Sequence, residues 1–528
     1  PRASPFAASS SQRAGRSKIR IRDLPVTHHA LAKHESPHVL CANRGKRGTH
    51  VQKWVDCDDI RHRTGTEMAH ALPLLKEPEE GSADDSEPPS HRSLRHGDFW
   101  RRVPAYAHVS RQDFLDHQFQ ARNSITRPEK LLDVLRDLAE PDFVRDVSLA
   151  LSSAPMALRL SPYILSLIDW DDPYRDPLRR QFIPLASAMR PDHPCVRLDS
   201  LGEQHDEAAP GLVHRYPDKV LFLALDTCPV YCRYCTRSYA IGPDNGGVEK
   251  VSLKVSDTRW EAAFRYIASH PAVEDVVVSG GDTYQLKPEQ IRSLGMRLLE
   301  IPHVRRMRFA TKGLCVMPMK VLSDDPWFAA IAEVVSAGRR RRKDVVVHTH
   351  FNHPNEITDI TEEALGRLFE AGITVRNQSV LQRGVNDDLQ TMRTLVRRLA
   401  YVNVHPYYVY VHDLVQGVED LRTNVHAAEE LEKALRGATA GFNTPTFVVD
   451  APGGGGKRDV HSYEHYDRTT GVSVYTAPAV KPGEYFCYVD PIHTLPEAGR
   501  ARWDDPSEHR NILREAIAHA ASLRHQAL

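Results

Sequence analysis

Beyond Val220 the chain alternates between two kinds of apolar pattern. Short runs rich in β-branched residues occur as VLFLAL (220–225), DVVVSG (275–280), VRRMRFAT (304–311), DVVVHTHF (344–351), ITVRNQSVL (373–381), VNVHPYYVYV (402–411) and TPTFVVD (444–450). Between them lie DTRWEAAFRYIASH, PEQIRSLGMRLLEI, PWFAAIAEVVSAG, TEEALGRLFEAG, TMRTLVRRLAY and AAEELEKALRGAT, where apolar residues recur every three or four positions. The first kind predicts buried strands and the second amphipathic helices. Strands joined by helical crossovers must run parallel, so this part of the chain is expected to form a complete or partial β/α barrel. Upstream, from Arg101 to about Arg190, the period is helical, as in PEKLLDVLRDLAEPDFVRDVSLAL.

Polar residues gather at the ends of these strands. The first leads into Asp226 and three cysteines, and the second into Ser279, Gly280, Gly281 and Asp282. The fourth ends in His348, His350, Asn352 and His353, and the fifth holds Asn377, Gln378 and Ser379. The sixth carries Tyr407, Tyr408, Tyr410 and Asp413, and the seventh reaches Asp450 before APGGGGK. In a β/α barrel the C-terminal strand ends converge on one mouth, where active sites sit. Groups far apart along the chain are therefore expected to meet there.

Composition narrows the partners. The chain has 528 residues, with 69 Lys plus Arg against 69 Asp plus Glu, so net charge gives no reason to expect nucleic acid or an anionic membrane. No apolar run reaches the length of a membrane span. Cys41, Cys57, Cys195, Cys315 and Cys487 are scattered singly, which suits a reducing compartment, and a cytoplasmic protein is expected. Residues 1–67 lack methionine and begin rich in Arg and Ser, a transit-like composition. A true start near Met68 is the reading favoured here. KEPEEGSADDSEPPSHRS (76–93) is polar and Pro-rich, so residues 1–95 are expected to be a disordered or mis-assigned extension. A helical region (96–205), the barrel (206–450) and a C-terminal segment (451–528) should follow.

The sharpest chemistry is in LDTCPVYCRYCTRSY, where Cys228, Cys232 and Cys235 are spaced C-x3-C-x2-C. Structural zinc takes four ligands, and no fourth is near. Three thiolates would satisfy three irons of a cubane and leave one open. The missing ligand then reads as a vacancy for something that must touch iron. VHTHFNHP (347–354) invites a metal reading, yet no Cys lies nearby and Glu356 sits beyond Pro354, so a polar strand end is preferred. In DAPGGGGK (450–457) the glycines free the backbone, and Lys457 suits a Schiff base with an aldehyde cofactor. It is not a P-loop, since Arg458 follows the lysine.

The cysteine spacing after a first barrel strand, with SGGD behind the second, resembles the radical S-adenosylmethionine (SAM) enzymes. Together with HRYPDKVLFL, CTR, THFNHP, NQSVL, PYYVY, PTFVVDAPGGGGK and LSPYILSLIDWDDPYRDPLRRQFIP, it resembles the lysine 2,3-aminomutases in particular, from about Phe99 to at least Lys457. The resemblance implies a partial (β/α)6-type radical SAM barrel with a helical N-terminal region and a β-containing C-terminal segment. It also implies a [4Fe-4S] cluster on Cys228, Cys232 and Cys235, SAM, and pyridoxal 5'-phosphate (PLP) on Lys457. Ser279, Gly280, Gly281, Asp282, His350 and Gln378 would face SAM. Arg215 and Lys219 would lie near the PLP phosphate, with Tyr216 beside the ring. Arg237 would clamp the substrate carboxylate, and Asp413 with Asp450 would bind a distal ammonium, since paired buried acids ask for a cation.

The implied activity is conversion of L-lysine to L-β-lysine, with a flavodoxin- or ferredoxin-type electron donor and a homo-oligomeric state. Arginine is a rival substrate, because guanidinium also satisfies two acids, and a third possibility is the branch that modifies a translation factor. From another class, an iron–sulfur electron carrier would leave Lys457 and its glycines unexplained. Two departures stand out. Asp388 follows RGVND where the family prototype uses cysteine for zinc, and the C-terminal region offers only Cys487, so no such zinc is expected. HSYEHYDRTTGVSVYTAPAVKPGEYFCYVD should form β-hairpins of open role.

Overall fold

A computed structural model of the chain describes residues 90–244 and 248–527. A hairpin opens the main sheet: β1 (Glu207–Ala209) runs antiparallel to β2 (Leu212–Tyr216), which runs antiparallel to β3 (Lys219–Leu225). Then come β4 (Asp275–Gly280), β5 (Arg306–Ala310), β6 (Asp344–Thr349), β7 (Val375–Leu381), β8 (Val404–Val411) and β9 (Thr446–Ala451). From β3 to β9 every neighbour is parallel and in chain order. A last strand, β10 (Gly456–Asp459), turns back antiparallel onto β9. The seven apolar runs are thus the seven parallel strands. The β1–β2 hairpin was not anticipated; the turn from β2 into β3 lies within HRYPDK, with Tyr216 opposite Lys219.

The sheet must curl. Strands lie about 4.8 Å apart, so in a flat sheet β2 and β10 would be on the order of 38 Å apart. Yet the Lys457 N–H on β10 donates to Tyr216 Oη at the end of β2 at 2.9 Å. Along β7 burial alternates, with Asn377 and Ser379 buried and Arg376, Gln378 and Val380 partly open. Alternation in a strand with a parallel neighbour on each side marks a lumen with space in it. The helices between the strands start where short polar side chains cap them: Ser256 accepts from the Arg259 N–H, Asp324 from Trp327, and Asn424 from Ala427. Asp388 has the same task, accepting from the Thr391 N–H ahead of helix Leu389–Tyr401. The departure at that position is a helix cap.

Residues 1–89, including the proposed start at Met68, lie outside the described residues. The fold is already in place at Ser90, short of the expected boundary at residue 96. Buried Arg398 donates to the carbonyls of Ser90, His91 and Ser93 at 2.9–3.2 Å. The long helical stretch upstream breaks into Pro128–Leu135 and Pro141–Leu151, each begun by a proline that cannot sit inside a helix. After β10 a separate antiparallel sheet forms from β11 (His465–Asp467), β12 (Val472–Ala477) and β13 (Lys481–Val489), the expected hairpins. Helix His509–Ala527 packs against it.

Candidate active site

The loop after β3 carries Cys228, Cys232 and Cys235, all free thiols. Among the described residues no three His, Cys, Asp or Glu side chains converge as ligands of one ion would. The three thiols still feel one another: burial first, then neighbouring negative charge, raises the Cys228 pKa, and burial pushes Cys232 up to about 12. A strongly positive group is what would make them thiolates. Three half-buried thiols on one loop fit a cluster.

Two anchors hold the loop. Arg233 makes a bidentate pair with Asp420, at 2.9 and 3.2 Å, and both are buried. The turn after β4 grips the other side: Gly281 N–H donates to Leu225 O at 2.6 Å, and Asp282 N–H to Thr227 O at 2.8 Å. A Cβ on Gly281 would lie 2.3 Å from Thr227 O, so only glycine permits this approach. The Asp282 carboxylate accepts from the N–H groups of Tyr284 and Lys312 at 2.8 and 2.7 Å, tying the β4 and β5 loops together. SGGD therefore seats the cysteine loop, leaving Ser279 and the glycine backbone at the mouth.

Below the loop lies a buried polar network that the sequence pattern did not disclose. The His350 Nδ1 faces the Gln378 carbonyl at 2.6 Å, which only accepts, so Nδ1 bears the proton and Nε2 is an acceptor 3.0 Å from Tyr234 Oη, a hydroxyl it shares with Gln181 Oε1 at 3.1 Å. Burial, then Lys312, lowers the His350 pKa to about 3, so the ring is neutral. Asn352 Nδ2 donates to Tyr234 Oη and to Gln181 Oε1, and Gln181 Nε2 donates to Glu356. Glu356 is paired with Lys312. The Gln378 side chain accepts from Tyr410 Oη and donates to His348 Nδ1. The histidines of VHTHFNHP thus each have separate partners.

The β9–β10 hairpin presents Lys457 directly opposite Asp450 in register. Its Nζ is 3.0 Å from Asp450 Oδ2 and 5.5 Å from the Tyr410 ring. Burial opposes charge on this amine, yet Asp450 and the neighbouring tyrosines outweigh it and hold the pKa well above the usual lysine value. Lys457 is thus on a paired strand rather than a free arm. Its N–H donates to Tyr216 Oη at 2.9 Å. Gly456, at φ +73°, leaves room for that hydroxyl, which a Cβ would meet at 2.6 Å.

Asp413 and Asp450 come together here. Burial, then the Asp450 charge, raises the Asp413 pKa to about 7. Each acid has one engaged oxygen, Asp413 with Thr236 and Asp450 with Lys457, and each leaves a buried Oδ1 without a partner. Arg237 lies nearby, and Glu203 takes its Nε and Nη2 at 2.9 and 2.7 Å. Its Nη1 makes no hydrogen bond among the described residues. Arg215 is paired with Asp206 at 2.7 Å, while Lys219 lies 4.4 Å over the Tyr216 ring. Glu203, Asp206 and Thr236 escaped sequence reasoning because they sit in aperiodic loops, where nothing distinguishes an aimed side chain from a solvated one.

Comparison with known proteins places this arrangement. Residues 432–463, from the helix before β9 through the Lys457 strand, match a family model described as Lysine-2,3-aminomutase. The chain is 40% identical over 357 residues to L-lysine 2,3-aminomutase of Acetoanaerobium sticklandii, covering 67% of this chain and 80% of that protein. It is 39% identical over 360 residues to L-lysine 2,3-aminomutase of Clostridium subterminale, covering 68% and 81%. It is 32% identical over 358 residues to glutamate 2,3-aminomutase of Clostridioides difficile, covering 68% and 79%. Agreement of that depth over most of a relative's length is not a shared motif but a shared ancestry, and the chain belongs to the lysine 2,3-aminomutase family.

Proposed function

We propose that the protein is an L-lysine 2,3-aminomutase, moving the α-amino group of L-lysine to the β-carbon to give L-β-lysine. The observation that carries the substrate is the pair of unpartnered carboxylate oxygens on Asp413 and Asp450. A buried acceptor left unsatisfied costs about 1–3 kcal/mol, and two side by side call for a donor with several N–H groups. The lysine ammonium is such a donor. A glutamate side chain would instead bring a third negative charge.

The residues present fit three cofactors. Cys228, Cys232 and Cys235 would hold a [4Fe-4S] cluster. Ser279, Gly280, Gly281, Asp282, His350 and Gln378 would surround SAM, and Lys457, Arg215, Tyr216 and Lys219 would hold PLP. When bound, these groups supply one-electron abstraction of a hydrogen atom and a carbonyl carbon to which the migrating nitrogen attaches. The protein supplies placement. Arg237, its Nε edge fixed by Glu203, offers Nη1 to the substrate carboxylate. Asp413 and Asp450 fix the far end, so the reacting carbons are stretched between two charged anchors. Lys457 pairs with Asp450 here, and a Lys457 that carried PLP would leave that carboxylate for the substrate ammonium. A flavodoxin- or ferredoxin-type donor would supply the electron, and a homo-oligomer is the proposed assembly.

The test is anaerobic reconstitution with iron, sulfide and PLP, then SAM and reductant, with L-lysine, L-arginine and L-glutamate offered in turn. L-β-lysine should be the product formed fastest. Asp413→Asn and Asp450→Asn should each raise KM for lysine about tenfold or more, as expected when one partner of a buried pair is lost. Faster turnover of arginine or glutamate, or unchanged lysine kinetics in both variants, would overturn the assignment.

A further inference from the structure

The C-terminal sheet brings a lysine to the cofactor end of the barrel. Lys481 opens β13, and its Nζ lies 3.2 Å from Gly453 O and 3.6 Å from Asp206 Oδ1. It passes residue 454, a glycine at φ +97°, where a Cβ would lie 2.5 Å from the ammonium. Phe486 on the same strand seats the contact, packing so closely on Gly455 that a Cβ would meet its ring at 2.6 Å. The other oxygen of Asp206 accepts from Arg215 Nε at 2.7 Å, and exposed His205 lies 3.2 Å from Oδ1. Arg215 and Asp206 are almost fully buried and Lys481 largely so, with side chains 7%, 9% and 21% exposed.

Two permanent cations thus share one carboxylate beside the turn that leads to Lys457. Arg215 also feels the charges of Asp450 and Glu203, but among the groups in direct contact, Arg215, Lys481 and Asp206, one positive charge is left over in a partly dry site, which an anion would complete. A guanidinium fork and an ammonium point charge are the usual pair for a phosphate. Resting on the PLP reading above, we propose that Lys481 joins Arg215 as the anion site for the phosphate of the cofactor attached to Lys457. Asp206 holds both cations in place until that phosphate arrives. The C-terminal sheet is thereby part of the cofactor site.

The full-length chain is titrated with PLP and, separately, with pyridoxal, which lacks the phosphate, following the absorbance band that disappears in Lys457→Ala. Lys481→Met, which keeps the aliphatic stem, should raise the PLP Kd about tenfold and leave pyridoxal within about twofold, while Lys481→Arg should stay near wild type. In a second measurement, Asp206→Asn frees both cations, so inorganic phosphate should compete with PLP more strongly. An unchanged PLP Kd in Lys481→Met, or equal losses for PLP and pyridoxal, would overturn the proposal, as would weaker phosphate competition in Asp206→Asn. If the wild-type chain shows no Lys457-dependent band, the PLP reading itself fails, and this inference with it.

Discussion

Asp413 is the residue whose charge state decides most. With its pKa raised to about 7 by burial and by Asp450, it is half protonated near neutrality. A protonated carboxyl gives the lysine ammonium little to bind, so KM for lysine should fall as pH rises through about 7. A pH profile of KM would check this, and Asp413→Asn should flatten it. Lys457 gives a second prediction. Removing its amine takes the ion-pair partner from buried Asp450, so Lys457→Ala should lower the thermal midpoint, and adding Asp450→Asn should restore part of the loss. Midpoints of both singles and the double would measure that coupling. The cysteine trio and Lys457 were legible in the sequence because their meaning lies in local spacing. Glu203, Thr236 and Asp206 were not, because each acts on a partner from a distant segment: Glu203 on Arg237, Thr236 on Asp413, Asp206 on Arg215. His350 was legible as a polar strand end, but its tautomer is set by the Gln378 carbonyl across the barrel.

At the scale of elements, strands proved easier to read than turns. DVVVSG coincides with β4 because a strand covered on both faces needs an unbroken β-branched run, and little else tolerates one. The β1–β2 hairpin was missed because Glu207–Ala209 carries no apolar alternation, its three residues being exposed or half-exposed. The SGGD turn shows what turn chemistry does here. Its glycines were read as a ligand contact, and the structure adds that they let two loops touch. Gly281→Ala would place a methyl group 2.3 Å from Thr227 O, which cannot yield without moving the cysteine loop. Overpacking of this kind costs roughly 1–3 kcal/mol. The variant should fold with a lower midpoint and take up less iron on reconstitution than wild type. Iron content per chain equal to wild type would mean the loop seats itself without the turn.

Across the whole molecule, the fold buries histidines that it keeps neutral. Burial lowers the pKa of His193, His348 and His350 to about 3, and of His353, His412 and His493 to about 4. His193 and His348 each accept an N–H at Nδ1, where a second proton would meet a donor, and His412 leaves Nε2 without a partner to receive one. In the unfolded chain the same rings titrate near 6.5. A depressed folded value means the stability is present above about pH 6.5 and is lost as pH falls, because the unfolded state then binds protons that the native state refuses. By pH 5 each such ring costs at most roughly 2 kcal/mol. Several buried carboxyls work the other way. Asp413, at about 7, and Asp490, raised to about 6 mainly by burial, reach into this interval, take protons in the native state first and so add stability on acidification. Six histidines against these two acids leave a net loss over it. The denaturant midpoint of the full-length chain should therefore drop steeply between pH 6.5 and 5, well before most surface carboxylates titrate. His193→Phe, which removes one titrating ring packed 4.4 Å from Trp503, should shallow that drop without altering the lysine KM profile that belongs to Asp413. A midpoint that rises over this interval would show that the buried acids, and not the histidines, govern the acid response of the fold.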